Sequence, residues 1–305
     1  MTAPIAPAVE RTAVGRQAAV LLAAYGAVAI WGATPLATKV AVAGLDPLAV
    51  GLLRTLLAGI VALPLILLGR IKAPRSGPAR VHLAVSALGG FVIFPLLFSY
   101  GIQLTTAGHG ALLLGILPVL TGLIAALLER RLPSARWWWG CAIAIGGTAL
   151  LVGARFDLSL ADGSLRGDLL VLASAVAASA GYVTGARAAR EIGTWAVTLW
   201  GLVLGSLVWL PVLPFVFGEG EAAAAGALAW SAVLFMALLS SILGYGAWYW
   251  ALGQGGIGRT GLAQFAQPLV GVALAVALLG EAMTWPMAAA AGAILAGVAL
   301  ARGRA

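Results

Sequence analysis

Residues 108–131 read GHGALLLGILPVLTGLIAALLERR, an apolar run of membrane-spanning length broken by one proline, Pro118. A shift of 150 residues brings up a second copy: residues 258–281 read GRTGLAQFAQPLVGVALAVALLGE and set Pro268 opposite Pro118. The shift holds without a gap to the end of the chain, where GGTALLVG (146–153) meets AGVALARG (296–303). Earlier in each half, AVGLLRTLLAGIVALP (49–64) answers AVTLWGLVLGSLVWLP (196–211) at a shift of 147. Identities are few, but prolines, helix lengths and glycines fall into step. The chain reads as one five-helix unit present twice.

Of the 305 residues, 62% are hydrophobic and 9% charged, with a mean hydropathy of +1.04. That composition excludes a soluble globular chain. Lipid offers the backbone no hydrogen-bond partner, and nothing alternates with period two over barrel-strand length, so the spans must be helices. The longest connections, near 69–80, 153–167 and 216–226, leave no room for a soluble domain. Cys141 is the single cysteine, which excludes an internal disulfide and a cysteine metal cluster. No metal and no cofactor is expected. Arg11 and Arg16 precede an apolar run of full spanning length, so the N-terminus reads as a tail and first helix rather than a signal peptide. The net charge of +8 does not call for nucleic acid, because the basic residues sit at helix ends.

The expected fold is an all-α integral membrane protein with ten transmembrane helices. The spans fall at 18–40, 47–69, 81–103, 107–128, 136–154, 167–188, 195–217, 227–252, 259–280 and 284–302. Counting loops alternately, one side collects Arg11, Arg16, Arg70, Lys72, Arg75, Arg80, Arg130, Arg131, Arg136, Arg187, Arg190, Arg259, Arg302 and Arg304. The other side receives Lys39, Arg155 and Arg166, and holds most of the acids. Lys/Arg bias sets orientation, so both termini are expected in the cytoplasm and the protein in the bacterial inner membrane. The domain expectation is a cytoplasmic tail (1–17), a first repeat (18–154), an extracytoplasmic linker (155–166) and a second repeat (167–305). Five crossings per unit turn the second copy upside down. Inverted repeats with a substrate site at their interface are the architecture of many secondary transporters. Trp137, Trp138 and Trp139 follow a basic cluster and read as an interfacial anchor.

Together these features resemble the drug/metabolite transporter superfamily, in particular its ten-helix EamA-type branch. WGATPLATK (31–39) is similar to that family's W-G-x-x-F-x-x-x-K, and DPLAVGLLRTLLAGIVALP (46–64) to its P…R-F-x-x-A segment. The fourth and ninth spans carry its proline-centred pattern, and the ninth ends in Gly280-Glu281 like the family's G-E. Two departures stand out: Arg130-Arg131 replaces the G-E pair in the first copy, and Pro35 stands where the family usually has an aromatic. The resemblance covers essentially the whole chain and implies a transporter without enzymatic activity. By length and helix character the aromatic amino-acid exporters of Gram-negative bacteria look most similar. The superfamily also contains nucleotide-sugar, sugar-phosphate and drug carriers.

Candidate substrate-binding residues are the polar and aromatic side chains lying within the spans. Arg54 lies about two turns inside the second span, roughly 10 Å from its outer end. A cation there faces a bundle interior or watery cavity, to attract a substrate carboxylate, to pair with Asp46 or to cap a neighbouring helix. Gln264 and Gln267 bracket a helical turn before Pro268, spaced to share a face. Tyr100, Tyr182, Tyr245 and Ser240 complete the candidate wall, and Pro118 and Pro268 are candidate helix breaks for gating. The stripe Phe91, Phe94 and Phe98 reads as packing. His109 is a candidate for proton coupling, though a histidine at a helix start serves more often as a cap. Lys39 is expected to snorkel to the headgroups. No acid falls mid-span, which argues for a facilitator or exchanger over an obligatory proton antiporter. The expected function is export of amino acids, aromatic ones favoured, or related small metabolites by alternating access. The partners expected are a small-molecule substrate and the lipid bilayer, with no nucleic acid, and the sequence leaves the oligomeric state open, a monomer included. A membrane-embedded lipid-modifying enzyme is disfavoured, since two histidines, one cysteine and scattered acids supply no nucleophile–base pair or metal set.

Overall fold

The computed structural model describes residues 8–130, 134–153, 164–216, 225–255, 263–264 and 266–301, and every regular element among them is helical. α1 (Ala8–Gly32) and α2 (Thr34–Val42) form one bent rod. The bend falls where Pro35, lacking an N–H, cannot donate to the Trp31 carbonyl four residues earlier. α3 (Pro47–Leu68) opens on Pro47 and is capped by Asp46, whose carboxylate accepts from the Leu48 N–H at 2.7 Å. α4 (Gly77–Ala87), capped by Ser76, passes through a π-helical segment (Leu88–Ile93) into α5 (Phe94–Leu104). α6 (Ala107–Leu113) is capped by Thr106 and joins α7 (Leu117–Glu129) through a 3-10 turn. α8 spans Ala135–Gly153.

The second half starts with α9 (Ser164–Ile192), which folds back into α10 (Thr194–Trp209) at Gly193. Gly193 has φ +83°, a left-handed conformation that suits glycine because it carries no Cβ. α11 (Ala227–Leu234), a second π-helical segment (Phe235–Gly244) and α12 (Tyr245–Gly255) make one rod, followed by α13 (Ala266–Leu279) and α14 (Trp285–Ala301).

Six of these rods are long and apolar enough to cross a membrane: Arg16–Val42, Pro47–Leu68, Gly77–Leu104, Ala107–Leu128, Ser164–Ile192 and Ala227–Ala251. Thr194–Trp209, Ala266–Leu279 and Trp285–Gly297 are shorter apolar helices. Leu22, Leu67, Leu68, Phe215, Leu228 and Trp285 stand more than two-thirds exposed, a surface suited to lipid rather than water. Residues 8–17, expected as a tail, are helical and continuous with α1, and residues 164–166, expected as linker, are the start of α9. Residues 154–163 of that linker, and Arg131 and Arg259, lie outside the described residues. The tryptophan triplet divides: Trp138 and Trp139 are exposed, while Trp137 packs under α7 beside Gly122.

Packing pairs distant stretches of chain. α8 lies along α14, α3 along α10, α4 and α5 against α9, α1 against α12, α6 against α13, and α2 against α11. One buried cluster centres on Phe98, Leu112, Leu113 and Ile294, a second on Trp31, Phe91, Leu202 and Tyr245. Each π-helical segment leaves backbone groups that neighbours must satisfy. Pro95 removes the N–H that would serve the Phe91 carbonyl. That carbonyl instead accepts from Thr55 Oγ1 at 2.7 Å and Trp209 Nε1 at 3.3 Å. In the second segment the Ser240 carbonyl accepts from Trp31 Nε1 at 3.1 Å, and Ser241 Oγ donates to the Met236 carbonyl at 2.9 Å.

Two expectations follow from this packing. Thr55→Val keeps the shape but removes the shorter of the two bonds to the Phe91 carbonyl, and should destabilise by about 1–3 kcal/mol. A thermal or denaturant midpoint in detergent reads it, and an unchanged midpoint would rule out this role for Thr55. A Cβ at Gly297 would meet the Gly140 carbonyl oxygen at 2.4 Å and the Ala144 nitrogen at 2.5 Å, both backbone atoms of α8. Gly297→Ala should therefore lose about 1–3 kcal/mol through overpacking. Gly292→Ala, with nothing within 4 Å of its Cβ, should lose nothing in the same assay.

Candidate functional site

Arg54 is 4% exposed in the middle of the bundle. Its Nη2 donates to Ser240 Oγ at 3.3 Å and its Nε to Ser241 Oγ at 3.4 Å. Its guanidinium carbon lies 5.4 Å from the centre of the Phe94 ring, within cation–π range. These are long, neutral partners for a full charge. No carboxylate among the described residues pairs with it. The alternative partner, Asp46, instead caps its own helix. Ser240 Oγ is itself 3.1 Å from Thr34 Oγ1, so α2, α3 and the second π-helical segment meet at one polar point.

Aromatic rings form a wall beside that point. Trp31 stacks on Tyr182 at 6.2 Å between ring centres and lies 5.1 Å from Tyr245 and 5.5 Å from Trp248. Tyr245 is also 5.2 Å from Phe91 and 5.9 Å from Tyr182. These spacings are those of favourable offset and edge-to-face pairs. Tyr245 and Trp248 are buried. The rings come from α1, α9, α12 and the first π-helical segment.

Of the sequence candidates, the structure brings Arg54, Tyr182, Ser240 and Tyr245 to this centre. Tyr100 is half-buried on α5. Gln264 lies in a short 3-10 stretch before α13, and Gln267 sits on the first turn of α13. The Gln267 carbonyl presses on the bend at Gly32, where a Cβ would meet it at 3.1 Å. Pro118 is the second residue of α7 and Pro268 the third of α13. Pro118 follows the 3-10 turn that interrupts the Ala107–Leu128 rod, as Pro35 and Pro95 follow the interruptions of theirs, whereas Pro268 lies in the first turn of α13, where an N–H has no intrahelical partner to lose.

His109 belongs to a second polar cluster at the end of the bundle. Its Nδ1 is 3.3 Å from Asp168 Oδ2, and Thr105 Oγ1 donates to Asp168 Oδ1 at 2.6 Å. Lys39, expected to snorkel, instead donates to the carbonyls of Ile102, Gln103 and Thr105 at 3.0, 3.3 and 2.6 Å and so caps α5. The Glu281 oxygens accept from the N–H groups of Ala107 and Gly108, each at 2.8 Å. Asp168, assigned to a loop side by charge counting, is wholly buried. Among the described residues no group of three or more His, Cys, Asp or Glu is placed to hold a metal.

In the sequence Trp31 stands out only as the start of the motif WGATPLATK, and Phe91 and Phe94 read as packing. A signal was present: Pro35 and Pro95 each stand four residues after Trp31 and Phe91. Side chains beside a broken backbone bond line irregular segments, which is where sites form.

The model of the EamA-like transporter family matches residues 18–153 and 165–303. An uncharacterized transporter, YdeK, of Bacillus subtilis (strain 168) is 34% identical over 267 residues, covering 87% of this chain and 91% of that protein. A probable amino-acid metabolite efflux pump of Salmonella typhimurium is 28% identical over 282 residues, covering 89% and 90% respectively. A solved crystal structure superposes with a TM-score of 0.64 at 21% identity, over 93% of this chain and 97% of that one, a likeness of fold alone. Matched along both halves, this multi-pass membrane protein belongs to the EamA-like transporter family, within the drug/metabolite transporter superfamily.

Proposed function

We propose that the protein exports amino acids, aromatic ones favoured, or related small metabolites by alternating access, as a facilitator or exchanger. The observation that carries this reading is Arg54, a buried guanidinium whose described partners are two hydroxyls and a ring. Guanidinium offers five N–H donors in a planar fork that matches a carboxylate, and an intramembrane cation marks a substrate path. A carboxylate on Arg54 sets the rest of an aromatic amino acid against Trp31, Tyr182 and Tyr245, rings that pair favourably with another aromatic ring. A phosphate ester would ask for several cations at this depth, and Arg54 is the one found among the described residues of the centre. The efflux-pump relative supports the amino-acid class.

Ten crossings arranged as two inverted five-helix repeats, with both termini cytoplasmic, complete the proposal. Symmetry of packing supports it. With α1–α2 as the first crossing, α3 as the second and so on, a step of five crossings turns the α8–α14, α3–α10 and α6–α13 pairs onto themselves. The same step exchanges the α5–α9 pair with α12–α1. The two π-helical segments fall in the third and eighth crossings, which the step also exchanges. The rings at the centre touch one another, so a substrate enters only when the two halves rock apart, which is alternating access.

Counterflow of radiolabelled aromatic amino acids into liposomes holding the purified protein tests this, with and without a pH gradient. Saturable, gradient-independent uptake is expected. Arg54→Gln should weaken apparent affinity about tenfold or more, since a hydrogen bond to a charged group contributes roughly 1.5–3 kcal/mol. Absence of saturable flux across a broad amino-acid panel would sink the reading, and unchanged affinity in Arg54→Gln would remove that residue from the site.

A further inference from the structure

The end of the bundle where α9 stops and α4 starts carries a charged cleft outside the substrate centre. It encloses about 560 Å³ between the two helices and is lined by Ser76, Ala79, His82, Arg187, Arg190 and Glu191. Arg187 and Arg190 stand three residues apart near the end of α9, a spacing that shares one face. His82 adds an imidazole from the α4 wall. The carboxylate in the lining, Glu191, is already engaged. Its oxygens accept from the N–H groups of Arg75 and Ser76 and from Ser76 Oγ. That contact bridges the two walls, tying the turn before α4 to the last turn of α9. Among the described residues no carboxylate oxygen lies within ion-pair reach of Arg187 or Arg190.

We propose that this cleft binds the phosphate of an anionic phospholipid from the membrane in which the protein sits. Guanidinium forks match pairs of phosphate oxygens, and basic pockets between membrane helices take lipid headgroups. The depth is right for a headgroup. α9 has 29 residues, so at 1.5 Å per residue it measures roughly 44 Å, well beyond a hydrocarbon core of about 30 Å. A helix of that length carries its last turns, and the arginines on them, into the headgroup layer.

An apolar track for the acyl chains borders the cleft. Val81, Val85 and Leu88 are exposed on α4, at spacings of four and three that form one ridge of the helix. Val81 and Val85 each lie three residues from a cleft residue, Pro78 and His82, so ridge and cleft adjoin. A phosphate held by Arg187, Arg190 and His82 leaves its acyl chains to lie along that ridge. A soluble anion would use the charges alone, whereas a lipid uses charges and ridge together. α4 belongs to the first half matched by the family and α9 to the second. The bound headgroup therefore joins the two halves at this end.

Native mass spectrometry and a thermal midpoint in neutral detergent test the site, with phosphatidylglycerol, phosphatidylcholine and inorganic phosphate as probes. Phosphatidylglycerol should bind about tenfold or more tightly than phosphatidylcholine, and raise the midpoint as it saturates. The double variant Arg187→Gln, Arg190→Gln should weaken its binding roughly thirtyfold, about fivefold for each basic residue at an anionic surface. A charge-matched pair that does not line the cleft, Arg16→Gln with Arg136→Gln, both exposed, should change affinity less than about twofold. Equal binding of the two lipids, unchanged affinity in the cleft variant, or an equal loss in the control pair overturns the proposal. Inorganic phosphate bound as tightly as the lipid overturns it in favour of a soluble anion. Should the variants fail to fold, wild type supplies a second reading. In nanodiscs, replacing phosphatidylcholine by phosphatidylglycerol should slow hydrogen–deuterium exchange in peptides covering 76–83 and 185–192, and unchanged exchange there overturns the proposal. No transport is measured, so the lipid site stands or falls apart from the substrate reading.

Discussion

A helix in hydrocarbon has no water to repair a broken backbone bond, so every interruption must be covered by another part of the same chain. The centre of this protein is built from such repairs. Pro35 and Pro95 remove the N–H groups owed to the carbonyls of Trp31 and Phe91. Thr55 and Trp209 cover the second of these, and Trp31 in turn covers the Ser240 carbonyl of the facing π-helical segment. These bonds run between α1, α3, the two π-helical segments and α10. The interruptions thereby fix which helices meet, and the rings next to them become the wall of the candidate site.

Charge is handled by the same rule. Asp46, Lys39 and Glu281 each cap a helix end, where unpaired N–H or carbonyl groups await a partner. Arg54 and the His109–Asp168 pair differ, because these contacts run between side chains of separate helices. That division separates two tasks in space. The cation in the middle of the bundle lies against two hydroxyls and a ring, and the pair at the end fastens helices. Hydroxyl groups of Ser240, Ser241, Thr34 and Thr105 mediate in both places, since a rotatable O–H serves as donor or acceptor as the helices move.

The helical class, the membrane environment and the family were legible because each is written in long-range composition: apolar runs, proline spacing and short motifs such as WGATPLATK. Within the candidate site, Arg54, Tyr182, Ser240 and Tyr245 were also legible, since polar or amphipathic side chains inside apolar spans have few other uses. That Gln264 lies before α13 was not legible, because periodicity alone does not show where that helix begins. Lys39 was misjudged because the sequence shows a cation at a helix end but not the open carbonyls of α5 beside it.

By itself, then, the sequence determined that this chain is a helical membrane transporter of the EamA-like family, because hydrophobic length and motif order are properties of the chain taken along its axis. Tertiary structure decided that Trp31 and Phe91 belong to the wall, that Asp168 is buried against His109, and that Arg54 faces hydroxyls rather than Asp46. Those contacts join residues 59 to 209 positions apart, and the spacing along each helix carries no trace of its partner's face. Only the packing of one bent helix on another selects which polar groups meet, because in lipid each must find its partner inside the protein.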